Sequence, residues 1–313
     1  MVSVPSERIL APAAPARRTL RPGLRKSTGE KVFDTFNVLL LLALVIVTFY
    51  PFYYVVVASL SDPARLAAHE GLLLWPLGFS TDAYRAVWDN PLIRSGYLNT
   101  LFYVVVGTAL NVLLTCLGAY ALTRPGLRVA KPVLLLIIAS MFFSGGLIPT
   151  FLLVKDLGLL DTRWALILPT AISAWNLLIL KTAFEDVPRE LEEAARIDGA
   201  SDLTILRHVY LPLTLPTIAV IALFYAVGHW NSYFSALIYL KDRSLYPLQM
   251  VLQEILVANQ TSDMMTGQAD DRESIAATIK YATIIAATLP ILFLYPFLQR
   301  YFVKGVMIGG VKE

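Results

Sequence analysis

The sequence is short of charge, cysteine and histidine, and each shortage removes a class of function. Only 16% of its 313 residues are charged, against about 25% in soluble domains. A lone cysteine, Cys116, forms no intrachain disulfide, and its place in an apolar run marks it as a small hydrophobe. The three histidines, His69, His208 and His229, are far apart, and no HExxH pair or Cys/His cluster accompanies them, so no metal ligand is nominated. No glycine-rich loop ending in Lys and Ser/Thr is present to cradle phosphate. The chain offers no catalytic residue, and an enzyme is not expected.

What is present is apolar length. Hydrophobic residues make up 57% of the chain, and the mean hydropathy is +0.62. Six runs approach the ~20 residues that cross a bilayer: near 36–58, 98–122, 132–154, 164–182, 215–240 and 278–302. The expected fold is an all-α integral membrane protein with six transmembrane helices. Pro149, Pro169 and Pro290 fall inside runs and read as kinks rather than breaks. Ionisable side chains are almost absent from the runs. Lys181 and Lys280 stand at their ends, where they can snorkel. That scarcity argues against an ion-coupled carrier, so energy for any uphill movement is expected from another subunit.

Basic residues orient the spans. Seventeen Lys and Arg fall in the N-terminal tail, the 123–131 link, the 181–214 region and the tail after 299, and nine on the other side. Lys and Arg concentrate on cytoplasmic loops, which places both termini in the cytoplasm and accounts for the net charge of +3 without a nucleic-acid partner. The basic tail 1–31 lacks the short apolar core of a secretory signal, and the run after it is too long for one, so the first helix reads as an uncleaved anchor. Two long loops, 59–97 and 241–277, face outward. Either is a plain connector or a surface for an external partner. The triplet "NQT" at 259–261 reads as a chance glycosylation match.

One cytoplasmic segment breaks the apolar pattern: "RELEEAARIDGASDLTILRHVYLPLTLP", residues 189–216. Asp186 can cap a helix, Pro188 suits its first turn, and Glu190, Glu192 and Glu193 favour its positive end. Leu191, Ala194 and Ala195 share one face. Gly199 is placed for a left-handed stop, Ser201 for a second cap, Leu203, Leu206 and Val209 for an apolar side, and Pro212 for the close. The spacing predicts a helix–glycine–helix elbow shaped to dock in a groove of a soluble partner. Within the spans, Trp175, Asn176, Trp230 and Asn231 pair aromatic with amide groups. That pairing suits either helix packing or the stacking and hydrogen bonding of sugar rings. His229 is expected to make one helix-packing hydrogen bond.

"EAARIDGASDLTILRHVYLP" resembles the EAA loop of permease subunits of bacterial ATP-binding cassette (ABC) importers. Glu193, Ala194, Ala195 and Gly199 match, Val209 replaces the usual Ile, and Leu211 and Pro212 follow in place. "LGLLDTRWALILP", "WNSYFSALIYL" and "FVKGVMIGGVKE" resemble the carbohydrate-importing members, in particular maltose-type permeases and the branch handling acidic oligosaccharides such as alginate. The resemblance implies a type I ABC importer permease fold in the bacterial cytoplasmic (inner) membrane. It divides the chain into a basic tail (1–31), a first helix and external loop (32–94), a transmembrane core (95–302) carrying the coupling loop 186–212, and a cytoplasmic tail (303–313). Glu193, Ala194, Ala195, Asp198, Gly199, Leu211 and Pro212 would engage the ATPase. The implied partners are a second homologous permease, two ATPase subunits that bind ATP and Mg, an extracytoplasmic solute-binding protein, membrane lipid and a carbohydrate. The alternatives are a permease for a non-carbohydrate solute and an ion-coupled secondary carrier.

Overall fold

A computed structural model of the chain describes residues 27–265 and 278–293, with side chains described to 257 and over 278–293. The basic tail before residue 27, the side chains of the "NQT" triplet, the polar stretch 266–277 and the 303–313 tail lie outside the described residues. Contacts divide the chain at Pro51 into two units.

The first unit holds most of helix α1, Thr28–Ser59. Ser27 and Glu30 start it as a reciprocal capping box: the Glu30 amide donates to Ser27 Oγ at 3.3 Å, and the Ser27 amide to Glu30 Oε2 at 2.8 Å. From Val38 to Val47 its side chains are apolar on every face and exposed.

The second unit begins with the last turns of α1 and a folded connector. Asp62 caps α2, Pro63–Ala67, and α3 spans Asp82–Asp89. Ser59 Oγ meets the Tyr84 hydroxyl at 2.7 Å, and the Ser61 hydroxyl accepts from the Leu77 amide. The 59–97 loop is therefore held by its own polar contacts.

Helix α4, Pro91–Thr123, is the long element of this unit. Asn90 caps it through the Leu92 amide, and Pro91 occupies the first turn, where no amide is needed. A wider π-type turn interrupts it at Tyr103–Gly107. The rest of the apolar sequence is bent rather than straight. Helices α5 (Ala130–Phe142) and α6 (Leu147–Asp156) meet at 120°, and α7 (Trp164–Thr170) and α8 (Ala174–Glu185) at 52°. The elbow follows as α9 (Arg189–Ile197) and α10 (Asp202–Leu213), and α10 turns by 86° into α11 (Leu215–Trp230). The chain continues through α12 (Tyr233–Tyr239), α13 (Leu248–Met265) and α14 (Thr278–Phe293). No strand occurs among the described residues; the nearest thing is an isolated bridge between Ser61 and Phe79.

Among the described residues, two helices are long and apolar enough to cross a membrane, and up to five spans result if each bent pair counts as one. The expected count of six is not reached among the described residues, because α14 is described only to Phe293. The 132–154 run is also broken, not kinked. Ser144–Gly145–Gly146 leave the helix, Gly146 takes φ +86°, and its amide donates to Ser144 Oγ. Pro149 consequently sits in the first turn of α6, where its missing amide costs nothing. The 215–240 run parts in the same way at Asn231–Ser232.

Lipid is as apolar as leucine, so helices in a bilayer gain little from apolar burial and depend on close packing and hydrogen bonds. The start of α4 shows how. Asn99 donates to the carbonyls of Ser244 (2.6 Å) and Tyr246 (3.1 Å), and the Tyr103 hydroxyl to that of Leu245 (2.8 Å). Thr100 Oγ1 accepts the Leu248 amide at 2.8 Å. A Cβ on Gly96 would lie 3.2 Å from the Leu248 Cα, so glycine lets the two backbones meet. The loop before α13 is thereby fixed to α4. Asp161, left-handed at φ 59°, fixes its other side by accepting the Lys241 and Asp242 amides at 2.8 Å. Those two donors hold the Asp161 carboxyl below the usual range.

Candidate coupling elbow and membrane cleft

The elbow forms from the capping chemistry in its sequence. α9 ends in a Schellman closure, with the Gly199 amide on the Arg196 carbonyl (3.0 Å) and the Ala200 amide on that of Ala195 (2.9 Å). Gly199 has φ +80°, and a Cβ there would meet nothing within 4 Å, so glycine is required by conformation rather than space. Ser201 Oγ then accepts the Thr204 amide and starts α10. Two expectations fail locally. Asp186 closes α8 rather than opening α9, which starts after Pro188 without a side-chain cap. Pro212 does not end the second helix, which runs to Leu213 and turns at Thr214. Thr214 tolerates the turn because its amide and hydroxyl both donate to the Tyr210 carbonyl.

The faces also differ from expectation. Ile205, Leu206 and Tyr210 turn inward on α10, whereas Leu203 is 69% exposed. Ile197, the last residue of α9, is 86% exposed. The Gly199 turn is thus flanked by two uncovered aliphatic side chains. Glu193, Ala194, Asp198, Gly199 and Pro212 are exposed, and Ala195 and Leu211 are half-buried.

Sequence reading missed the residue that holds the elbow. Glu192 is buried, and its Oε1 pairs with Arg124 (2.5 Å) and Arg196 (3.1 Å). The Tyr210 hydroxyl donates to Oε2 at 2.7 Å, and Arg196 also bridges to Asp202 at 2.7 Å. The Arg124 guanidinium lies 3.8 Å from the centroid of the Tyr120 ring and 4.9 Å from that of Tyr210. The cytoplasmic end predicted for α4, both elbow helices and the 86° bend therefore meet at one carboxylate. Burial pushes the Glu192 carboxyl up, but the Tyr210 hydroxyl and the two guanidiniums outweigh it and hold it below the usual range. Its contribution is present above the ordinary carboxylate pKa and is lost as pH falls through the lowered value.

A second polar lattice holds the bend between α7 and α8. Such a break frees backbone groups that a membrane interior cannot hydrate. Asn111 of α4 donates to the Thr170 and Ala171 carbonyls, both at 2.8 Å. The Tyr225 hydroxyl accepts the Ser173 amide at 2.9 Å and lies 2.8 Å from Thr115 Oγ1. Because both Asn111 amide hydrogens point at carbonyls, its Oδ1 must accept, and His229 Nε2, 2.7 Å away, carries the proton. Gly107 admits that imidazole, since a Cβ there would lie 2.4 Å from Nε2. His229 makes the expected interhelical hydrogen bond.

Beside this lattice opens a cleft of about 600 Å³. Trp175, Asn176 and Asn231 line it together with Thr170, Ser173, Ser232 and Ser235. Trp175 is 61% exposed and presents an open ring, and the Ser232 hydroxyl is buried without a partner among the described residues. Among the described residues, no charged side chain lines the cleft. Trp230 stands elsewhere, half-buried against the cluster around Tyr103 and Ile167, and its indole N–H has no partner among the described residues. The structure thus gathers three of the four aromatic and amide residues on one wall. It also adds a row of hydroxyls that sequence spacing did not reveal.

An all-α chain with broken apolar spans, a neutral hydroxyl-lined cleft and a capped polar elbow is built as a membrane transport component. Residues 114–308 match the family described as "Binding-protein-dependent transport system inner membrane component", and the chain belongs to that family. Its relatives include the polygalacturonan/rhamnogalacturonan transport system permease protein YtcP of Bacillus subtilis, 43% identical over 90% of this chain and 99% of that protein. Protein LplC of the same organism is 45% identical over 92% and 98%. Among solved structures, a chain of a bacterial ABC transporter involved in the import of the acidic polysaccharide alginate is 33% identical, with a TM-score of 0.81, covering 88% of this chain and 99% of that one. A chain of a bacterial alginate ABC transporter in complex with alginate pentasaccharide-bound periplasmic protein shares the fold at 14% identity and a TM-score of 0.50, over 86% and 96%.

Proposed function

We propose that this chain is one permease half of an ATP-driven importer of oligosaccharides, of the acidic, uronic-acid-containing kind. It lies in a bacterial cytoplasmic membrane with both termini inside and works with a second permease, two ATPase subunits and an extracytoplasmic solute-binding protein. ATP and Mg belong to the ATPases, and this chain receives their motion. The observation that carries the reading is the elbow: a capped turn with uncovered Ile197 and Leu203 at its tip and a carboxylate lock at its base. Closure of the ATPases would press on the tip, and the lock would pass that displacement to α4 and α11. The names of YtcP and of the alginate transporter support the acidic glycan. The cleft supports a sugar, because Trp175 offers a face for a pyranose ring and the amides and hydroxyls offer partners for its OH groups. Among the described residues, no carboxylate lines the cleft to carry a proton or sodium ion.

Gly199→Asp tests the coupling. A side chain at φ +80° costs about 1 kcal/mol, and the new charge would stand on the docking tip. Sugar-stimulated ATP hydrolysis and uptake should both collapse while the chain still inserts; uptake at the native rate with the ATPase attached would refute the role of the elbow. The cleft is tested separately by Asn231→Ala, which removes a partner worth about 1 kcal/mol. The sugar concentration for half-maximal transport should then rise about fivefold, and an unchanged value would remove Asn231 from the path.

A further inference from the structure

A second cleft, of about 680 Å³, opens where the first turns of α4 meet the last described turns of α14, beside α3. Its walls are apolar and partly uncovered: Leu98 is 70% exposed, Phe293 69% and Trp88 74%. The cleft is built in, because the Tyr97 hydroxyl donates to the Ala286 carbonyl and sets the spacing of α4 and α14. Its lining contains one charged side chain, Arg94, exposed at the rim and without an ion pair among the described residues. Arg94 also stands in the opening turns of α4, where the positive end of the helix adds to its charge. Trp88, Tyr84 and Tyr97 complete the rim, the amphipathic rings that settle at a membrane–water interface.

We infer that this cleft is a binding site for an anionic phospholipid, with an acyl chain between α4 and α14 and the phosphate on Arg94. An apolar slot ending at a free guanidinium calls for a ligand that supplies a hydrocarbon chain and an anion from one molecule. A helix from another subunit would cover the slot but would have to bring a carboxylate to the same point. A zwitterionic lipid fills the slot equally well, but it sets a second cation near the guanidinium. The rim therefore discriminates by headgroup charge, and the slot by chain.

The test uses the chain purified with its partner subunits and reconstituted in nanodiscs of equimolar phosphatidylglycerol and phosphatidylcholine. Retained lipid is counted by native mass spectrometry, and a photoactivatable phosphatidylglycerol maps the site. The native complex should retain phosphatidylglycerol over phosphatidylcholine by about fivefold, the increment expected for one interfacial cation. Crosslinks should fall on the peptides around residues 93–98 and 286–293. Arg94→Gln alters an exposed side chain and spares the fold; it should keep lipid in the slot but lose the headgroup preference. Leu289→Trp should exclude both lipids by filling the slot. The inference is overturned if Arg94→Gln keeps the preference, if the native complex has none, or if a crosslinker at position 98 captures another subunit instead of lipid.

Discussion

Helices α1 and α4 have nearly the same length, 32 and 33 residues, and both pass as membrane spans on composition. Yet, each taken within its own unit, none of the most apolar window of α1 is buried, against 28% of that of α4. Hydropathy does not separate them; polar residues do. α4 carries Asn99, Thr100, Asn111 and Thr115, all buried, and each holds another element. Just past its end, Arg124 holds the elbow. In α1, the hydroxyls of Thr35 and Thr48 donate to carbonyls of their own helix, and it is in the last turns that Tyr53 and Ser59 reach the connector. An apolar helix becomes a structural spine when its few polar groups are spent on the backbone of its neighbours.

The contrast predicts where substitutions will hurt. Arg124→Gln should have the largest effect, because it removes the closest counter-charge of a buried carboxylate, a change that costs about 3 kcal/mol or more. Denaturation of the detergent-solubilised chain should show it, and adding Glu192→Gln should recover part of the loss; additive losses would mean that the two groups act separately. Next comes Asn111→Leu, which strands two carbonyls and the His229 N–H, at about 2 kcal/mol. A cysteine placed at Ser173 should then gain reactivity as the bend loosens, whereas unchanged reactivity would place the support of the bend elsewhere. Leu41→Ala in α1 should be the mildest, within about 0.5 kcal/mol for the isolated chain, since Leu41 is 52% exposed. A cost like that of Asn111→Leu would erase the distinction between the two helices.

Much of this was legible in the sequence, for reasons that can be traced. Gly199 and Ser201 mark the elbow turn because left-handed stops and hydroxyl caps are local chemistry. α1 and α4 are legible because span length is local as well. Glu192 was not. Three glutamates crowd the start of α9, and composition alone makes all three solvated. Which one turns inward depends on Arg124, which arrives from 68 positions earlier in the chain. The break at Ser144–Gly146 reads as a kink in the sequence because a proline inside an apolar run and one at a helix start look alike until the backbone is seen. Adjacency groups Trp230 with Asn231, but the end of α11 falls between them and sends the two side chains to different neighbours.

The 86° turn at Thr214 gives the elbow a mechanical character. α10 is a crank arm set nearly square to the shaft of α11. At about 1.5 Å per residue the arm from Asp202 to Leu213 is roughly 17 Å long, so a swing of about 10° would carry its tip by about 3 Å. On the proposed coupling, a push of that size against Gly199 would become rotation of the shaft rather than its translation. The far end of that shaft carries His229, a wall residue of the cleft. Torque applied at one face of the protein would thus arrive at the cleft as a turn of its wall.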